Sequence, residues 1–327
     1  MKTQKGAALL MAMLTVALVA TLASAALWQQ WRQVEIETAE RGRSQTAWMM
    51  TGALDWTRLI LREDAISAQA AGVDHLGEPW ALPVQESKLS TFLSQDQQWR
   101  EGDAEVFLSG YITDAQSRLN VRNLVEDGQI VQAEWTAWQR LFERLNLPLA
   151  ELQSLGRQLL LASPSPNTSH ANNGSPSIRV ALMPQRTAQL VWLGLSPATL
   201  SALDNFITVL PEPTTVNLNT APAEVLMACV PGLDLAAARQ LVALRERAHW
   251  TSLDAARKVF GPAARWVDDK RHGIRSNYFE VNGRMRIDQV VQQERALVKR
   301  EGSQVRMLWR AQAPLPPSQL SHGPTLQ

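Results

Sequence analysis

The chain has 327 residues, 45% hydrophobic and 19% charged, long enough for about two domains and ordinary for a globular protein. Its 32 basic and 31 acidic residues leave a formal net charge of +1, which excludes bulk electrostatic attraction to nucleic acid as a driving force. The single cysteine, Cys229, excludes an internal disulfide; its setting in Val225-Leu226-Met227-Ala228-Cys229-Val230 predicts a small buried apolar side chain.

The first predicted element is a helix. Lys2 and Lys5 stand before Gly6, and nothing from Ala7 to Leu27 is charged. About twenty apolar residues at 1.5 Å rise match a bilayer core of roughly 30 Å. The basic leader should stay cytoplasmic and send the rest of the chain outward. Three readings fit this stretch: a cleavable secretory signal with Ala23-Ser24-Ala25 as its A-x-A site, a plain signal anchor, or a leader cut at the glycine that abuts the apolar run. The helical pattern continues beyond Leu27 to about Leu61, where Trp28, Trp31, Val34, Trp48, Leu54 and Leu59 recur at roughly helical spacing. Gly42 and Gly52 are its weak points. Such a stem would be an accident behind a cleaved export signal.

Gly72 to Pro83 reads as a loop by its Gly and Pro content. Ala104 to Thr113 alternates as a strand, Asp114-Ala115-Gln116-Ser117 turns the chain, and Arg118-Leu119-Asn120-Val121 reads as a short partner strand. From Gln132 the pattern is helical, with Trp135, Trp138, Leu141, Phe142 and Leu145 on one face and a second helix over 149–161. Ser163 to Ser177 is a solvated Ser/Pro/Asn linker. Two helix-turn-helix units follow: Ala188–Leu195 into Ala198–Ile207, and Ala221–Val230 through Pro231-Gly232-Leu233-Asp234 into Leu235–Arg247. Thr220 is the expected cap of the second unit, with Ala221 and Pro222 opening the helix and Glu224 near capping-box range. Ser276–Ile287, Gln289–Lys299 and Ser303–Arg310 read as three antiparallel strands around turns at Asn282-Gly283 and Glu301-Gly302. A sheet begun before residue 122 and finished after 276 implies an insertion within an α+β domain.

Catalytic patterns are missing. The five histidines (His75, His170, His249, His272, His322) show no metal spacing, and no nucleophile elbow, Walker loop or dinucleotide fingerprint occurs. Asp268-Asp269 beside Lys270-Arg271-His272 reads as a self-paired surface. The rival reading is duplex DNA held by the hairpins, whose G-h-G amides would approach a phosphate. The second hairpin opposes it, because Gly232-Leu233-Asp234 puts a carboxylate there; the first, Gly194-Leu195-Ser196, has only Arg186 nearby.

Several segments resemble one family. The Lys-rich leader, Gly6 and the uninterrupted helix resemble the class III signal of type IV pilins and type II secretion pseudopilins. Gly6-Ala7-Ala8-Leu9-Leu10 looks like the start of the K-type minor pseudopilins. Leu76, Glu78, Trp80 and Pro83 look like the loop after that family's stem. The segment Asn217–Leu226, followed by Pro231-Gly232, resembles its inserted SAM-like domain, and the closing strands through Val305–Arg310 match as well. The resemblance implies an α+β pilin-like fold: a long N-terminal transmembrane and amphipathic helix on an antiparallel sheet, interrupted by an inserted all-α helix-hairpin-helix domain. It implies cleavage by a prepilin peptidase after Gly6, leaving Ala7 as a methylated N-terminus. Met11 stands where most pilins carry the glutamate that pairs with a neighbour's terminal amine, a departure shared with the K-type subunits. The expected division is a leader at 1–6, a transmembrane helix at 7–27, pilin-like halves at 28–131 and 271–312, an inserted domain at 132–270 and a disordered tail at 313–327. The implied role is structural and non-enzymatic, without cofactor, in the inner membrane with the head in the periplasm. Its partners would be I- and J-type minor pseudopilins, then the H-type and major pseudopilins, and no nucleic acid. A minor subunit of a related type IV filament or competence system with DNA contact is the alternative. The acidic D-W-x-D-x-D and E-D-x-Y motifs linked to calcium in some members are absent, so no metal is carried over.

Overall fold

The computed structural model describes residues 5–68, 72–88, 105–163, 182–287 and 290–313. The leader residues 1–4, most of the Ser/Pro/Asn linker and nearly all of the expected tail lie outside these. Helix α1 (Lys5–Ala68) runs 64 residues through Gly42 and Gly52 without a break. Among the described residues it is the one helix long and apolar enough to cross a membrane, and none of its most apolar window is buried.

The chain forms two compact units, Met1–Ala53 and Leu54–Gln327. In the second, a five-stranded antiparallel sheet packs against the end of α1. The first strands are β1 (Val84–Lys88) and β2 (Val106–Asp114). After β2 the chain leaves the sheet and builds a helical body. It comprises the short strands β3 (Leu119–Asn120), β4 (Val125–Glu126) and β5 (Gln129–Ile130), then helices α2 (Gln132–Arg144), α3 (Leu149–Ala162) and α4 (Pro197–Leu203). Strands β6 (Ile207–Thr208) and β7 (Val216–Asn217), helices α5 (Ala223–Cys229), α6 (Leu235–Arg247) and α7 (Leu253–Val259), and strand β8 (His272–Gly273) complete it. The sheet resumes with β9 (Tyr278–Ile287), β10 (Val290–Glu301) and β11 (Gln304–Gln312), in the order β1-β2-β9-β10-β11.

Two cores follow from this arrangement. Leu54 and Leu61 of α1 bury with Trp80, Ile112, Phe279, Val281 and Val298 under the sheet. Arg58 donates from Nε and Nη2 to the carbonyl of Val305, at 3.0 and 2.9 Å, which pins the helix to β11. The body has its own core of residues from Leu119 to Val267, including Trp138, Phe142, Leu155, Leu218 and Leu226. Its hairpins turn by local chemistry. Gly232 adopts φ 80°, a left-handed conformation that a side chain would strain, and Asp234 caps α6 by accepting from Ala237 N–H at 2.7 Å. Ser196 caps α4 with Pro197 in its first turn, and a 3-10 helix (Thr187–Leu193) stands where the first predicted helix was expected.

Three expectations are corrected. Leu119–Asn120 does not pair with β2; it lies parallel to Ile207–Thr208 inside the body. The cause is Asp114, whose carboxylate accepts from Gln116 N–H and starts a 3-10 turn that redirects the chain. Asn282-Gly283 is no turn but the middle of β9, opposite Tyr111 and Gly110 of β2 and Arg295 and Glu294 of β10. Thr220 does not cap α5: Pro222 holds the cap position without a side-chain bond, and the Thr220 hydroxyl points elsewhere. The expected turn after Glu301 is present between β10 and β11.

Candidate functional site: a buried polar junction

Four stretches far apart in sequence meet at the two points where the chain passes between sheet and body. They are the end of α1, the loop 72–83, the β2 exit at Asp114, and the β9 entry at Ser276. Asp114 is buried, and each of its oxygens is engaged. Its Oδ1 accepts from Gln116 N–H at 2.7 Å. Its Oδ2 accepts from the hydroxyls of Ser276 and Thr220, both at 2.6 Å, and from Asn217 Nδ2 at 3.0 Å. The same Asn217 amide nitrogen reaches the Asp74 carbonyl at 3.2 Å and Ser276 Oγ at 2.9 Å, tying the loop to both crossings. Burial pushes the Asp114 carboxyl up to about 6, against the opposing bonds from Ser276 and Thr220.

Beside it lies an ion-pair centre. Asp74 accepts from Ser276 N–H at 2.7 Å and pairs with Arg300 of β10. The other guanidinium nitrogen bonds Asp64 of α1 at 2.6 Å, and the group stacks 4.7 Å from the Phe279 ring. Glu78 accepts through Oε2 from His75 N–H at 2.9 Å and from Trp80 Nε1 at 2.8 Å. Burial lifts its carboxyl to about 7. Oxygens of Asp64, Asp74 and Glu78 all lie within 4.8 Å of one another, and Arg300 bridges the first two. The positive charge among them is therefore the protein's own guanidinium. The arrangement acts as a lock: buried donors and acceptors satisfy one another and fix where the body attaches to the sheet.

The residues singled out from sequence fall in different places. Gly6 and Ala7 are in the first turns of α1, and Met11 is exposed on it. Thr220, read as a helix cap, and Asn217, which opens the family-like segment, are junction residues. Glu78 and Trp80 are joined as a unit, with Trp80 buried edge-on to Phe279. Asp268 accepts from the backbone of Lys270 and Arg271, but the Arg271 side chain leaves that surface to pair with Glu134 at 2.7 Å. Cys229 is buried, its thiol pushed up to about 12. Arg186 stands over the Trp309 ring at 5.1 Å. Asp64, Asp74 and Arg300 were missed because no spacing rule links residues more than two hundred positions apart.

Two family profiles, both described as type II secretion system protein K, match residues 117–212 and 216–275. The type II secretion system protein K of Klebsiella pneumoniae is 28% identical, over 91% of this chain and 93% of its own length. That of Pseudomonas aeruginosa is 26% identical, over 85% and 83% respectively. A chain in the crystal structure of the GspK-GspI-GspJ complex from the type 2 secretion system of enterotoxigenic Escherichia coli shares the fold. Its TM-score is 0.61 at 16% identity, covering 85% of this chain and 99% of that one.

Proposed function

Because this chain belongs to the type II secretion system protein K family, we propose that it is a minor pseudopilin that joins I- and J-type minor pseudopilins to initiate or cap a periplasmic pseudopilus during protein secretion. The carrying observation is a 64-residue stem helix that enters a sheet interrupted, between Asp114 and Tyr278, by a helical body. The same fold occurs in a chain of the GspK-GspI-GspJ complex. The role is structural: the junction holds two parts of one head together and offers no reacting group.

The apolar part of α1 anchors the chain once in the inner membrane, N-terminus cytoplasmic and head periplasmic, with Lys2 and Lys5 as the positive charges that orient the helix before the leader is cut. Prepilin peptidase cuts after Gly6 and Ala7 becomes the methylated N-terminus. The leader (1–6) and membrane helix (7–27) serve anchoring, the stem and sheet on either side of the body serve packing, and the body between Asp114 and Tyr278 serves display. H-type and major pseudopilins follow once the initial complex has formed. Asp234, held as the α6 cap, puts a carboxylate at the hairpin mouth and speaks against a DNA-contacting filament subunit.

Co-expression of the full chain with I- and J-type subunits, extraction in mild detergent and native mass spectrometry tests the reading. A stoichiometric ternary complex is expected; a chain that purifies alone under every condition overturns it. Intact-mass measurement of the membrane form should give an N-methylated chain starting at Ala7. A start near Ala26 would mean an ordinary signal peptide.

A further inference from the structure

Two imidazoles from different parts of the head lie face to face. His75 belongs to the loop after α1, and His249 to the turn between α6 and α7. Their ring centroids are 3.7 Å apart with planes only 9° from parallel. His75 Nδ1 accepts from Gly77 N–H at 3.1 Å, so the neutral ring carries its proton on Nε2. A second proton would have to go onto Nδ1, which turns that acceptor into a donor aimed at another donor and opens the turn. A proton on His249 as well would set two like charges ring against ring.

We propose that the His75–His249 stack is a proton-operated clasp, closed between loop and helical body when neutral and parted when both rings are charged. The surroundings favour this. Asp74 faces His75, but its carboxylate is held by Arg300 and by Ser276 N–H. Glu78 is bonded to the His75 backbone N–H and to Trp80, not to the ring. Arg275 places its guanidinium beside Gly72 on the same loop, and Arg247 stands two residues before His249. Burial, then the neighbouring His249, hold His75 below its ordinary value despite Asp74. The clasp also has a route into the body. Trp250, next to His249, is buried and donates its N–H to Asn219 Oδ1 at 2.9 Å, while Asn219 Nδ2 donates to the Trp250 carbonyl at 3.0 Å. Parting the rings therefore strains the hairpin that begins at Asn217. A head exposed to a compartment whose pH varies would loosen at this seam first.

Hydrogen exchange of the full chain in detergent at pH 7.5 and 5.5, corrected for intrinsic rates, tests the clasp. Amides of 75–78 and 249–250 should lose protection at pH 5.5 by about tenfold, while the β9–β10 amides hold. The double variant His75→Phe/His249→Phe keeps two stacked rings that cannot charge, and should show no acid loosening. Should it fail to fold, imidazole titration of the wild type by NMR decides: His75 must titrate below its ordinary 6.5. Equal protection at both pH values, acid loosening retained in the double variant, or a His75 titration at its ordinary value would each overturn the clasp.

Discussion

Arg300 is 5% exposed and serves two carboxylates from different elements, so its removal leaves Asp64 and Asp74 buried without their counter-charge. Arg300→Met should destabilise the head by about 3–5 kcal/mol, the range for breaking a buried pair at one side. Urea unfolding measures it; a loss under about 1 kcal/mol would mean that water or rearrangement replaces the guanidinium. Glu78 works through pH instead. Its folded value of about 7 lies above the ordinary 4.5, so the folded state holds the proton more tightly and stability falls as pH rises between those values. Asp114 has the same sign below about 6. Glu78→Gln keeps an acceptor for His75 N–H and Trp80 Nε1 without the buried charge. Its melting temperature relative to wild type should rise from pH 5 to about pH 7 and level off above, and a constant difference across that range would contradict the assignment. The histidine clasp runs the other way, losing stability as pH drops below 6.5, so removing Glu78 should sharpen the acid limb. At this scale the sequence is only partly readable. Thr220 announces a helix start by its residue type, yet its side chain goes with that of Asn217 to Asp114, a hundred residues earlier, because an unpaired buried carboxylate is a stronger demand than a surface cap.

Among the elements, strands β2, β9, β10 and β11 were legible by alternation and helices α2 and α3 by their apolar faces, since both signals depend only on local period, whereas β1 has one apolar residue, Val84, and no alternation to read. Asn282-Gly283 was not, because the same dipeptide that favours a hairpin also permits close strand approach. In β9 it does the second. Gly283 faces Gly110 across β2 and β9, and a Cβ at Gly110 would meet the Asn282 carbonyl at 2.7 Å. Gly110→Val should therefore cost about 1–3 kcal/mol through forced separation of the two strands. Tyr111→Ala, one residue on and 47% exposed, should stay within about 0.5 kcal/mol. Denaturant midpoints of the two variants compare them directly, and equal effects would mean that the strands accommodate the added side chain. The partner strand expected after Asp114 failed for a similar reason. A capped 3-10 turn and a hairpin turn draw on the same Asp, Ser and Gln, and what separates them is the body core that pulls Leu119 away from the sheet.

For the whole molecule, the outline was readable because a long apolar helix and a split sheet leave marks at both ends of the sequence, whereas the attachment of body to sheet left none. The proposed place in the filament rests on two features of that outline. Met11 offers no carboxylate, so under the proposed role this subunit would not receive a neighbour's terminal amine in the way most pilins do, and after the proposed cut it would donate its own from Ala7. A contact made on one side only suits an end of a filament, because every interior subunit must make both. The helical body points to the same end: it interrupts the sheet between Asp114 and Tyr278, and so bulky a body would crowd lateral neighbours along a shaft but has free space at a tip. Labelled full-length chain, expressed at native level in a secreting cell, should appear once per filament and at an end, and should not polymerise when expressed alone. Met11→Glu supplies the missing acceptor and should raise its copy number within filaments only slightly, because the body still excludes lateral packing. Wild-type label along the shaft at the abundance of the major subunit would remove the tip assignment, and Met11→Glu reaching that abundance would show that the carboxylate alone, and not the body, decides position.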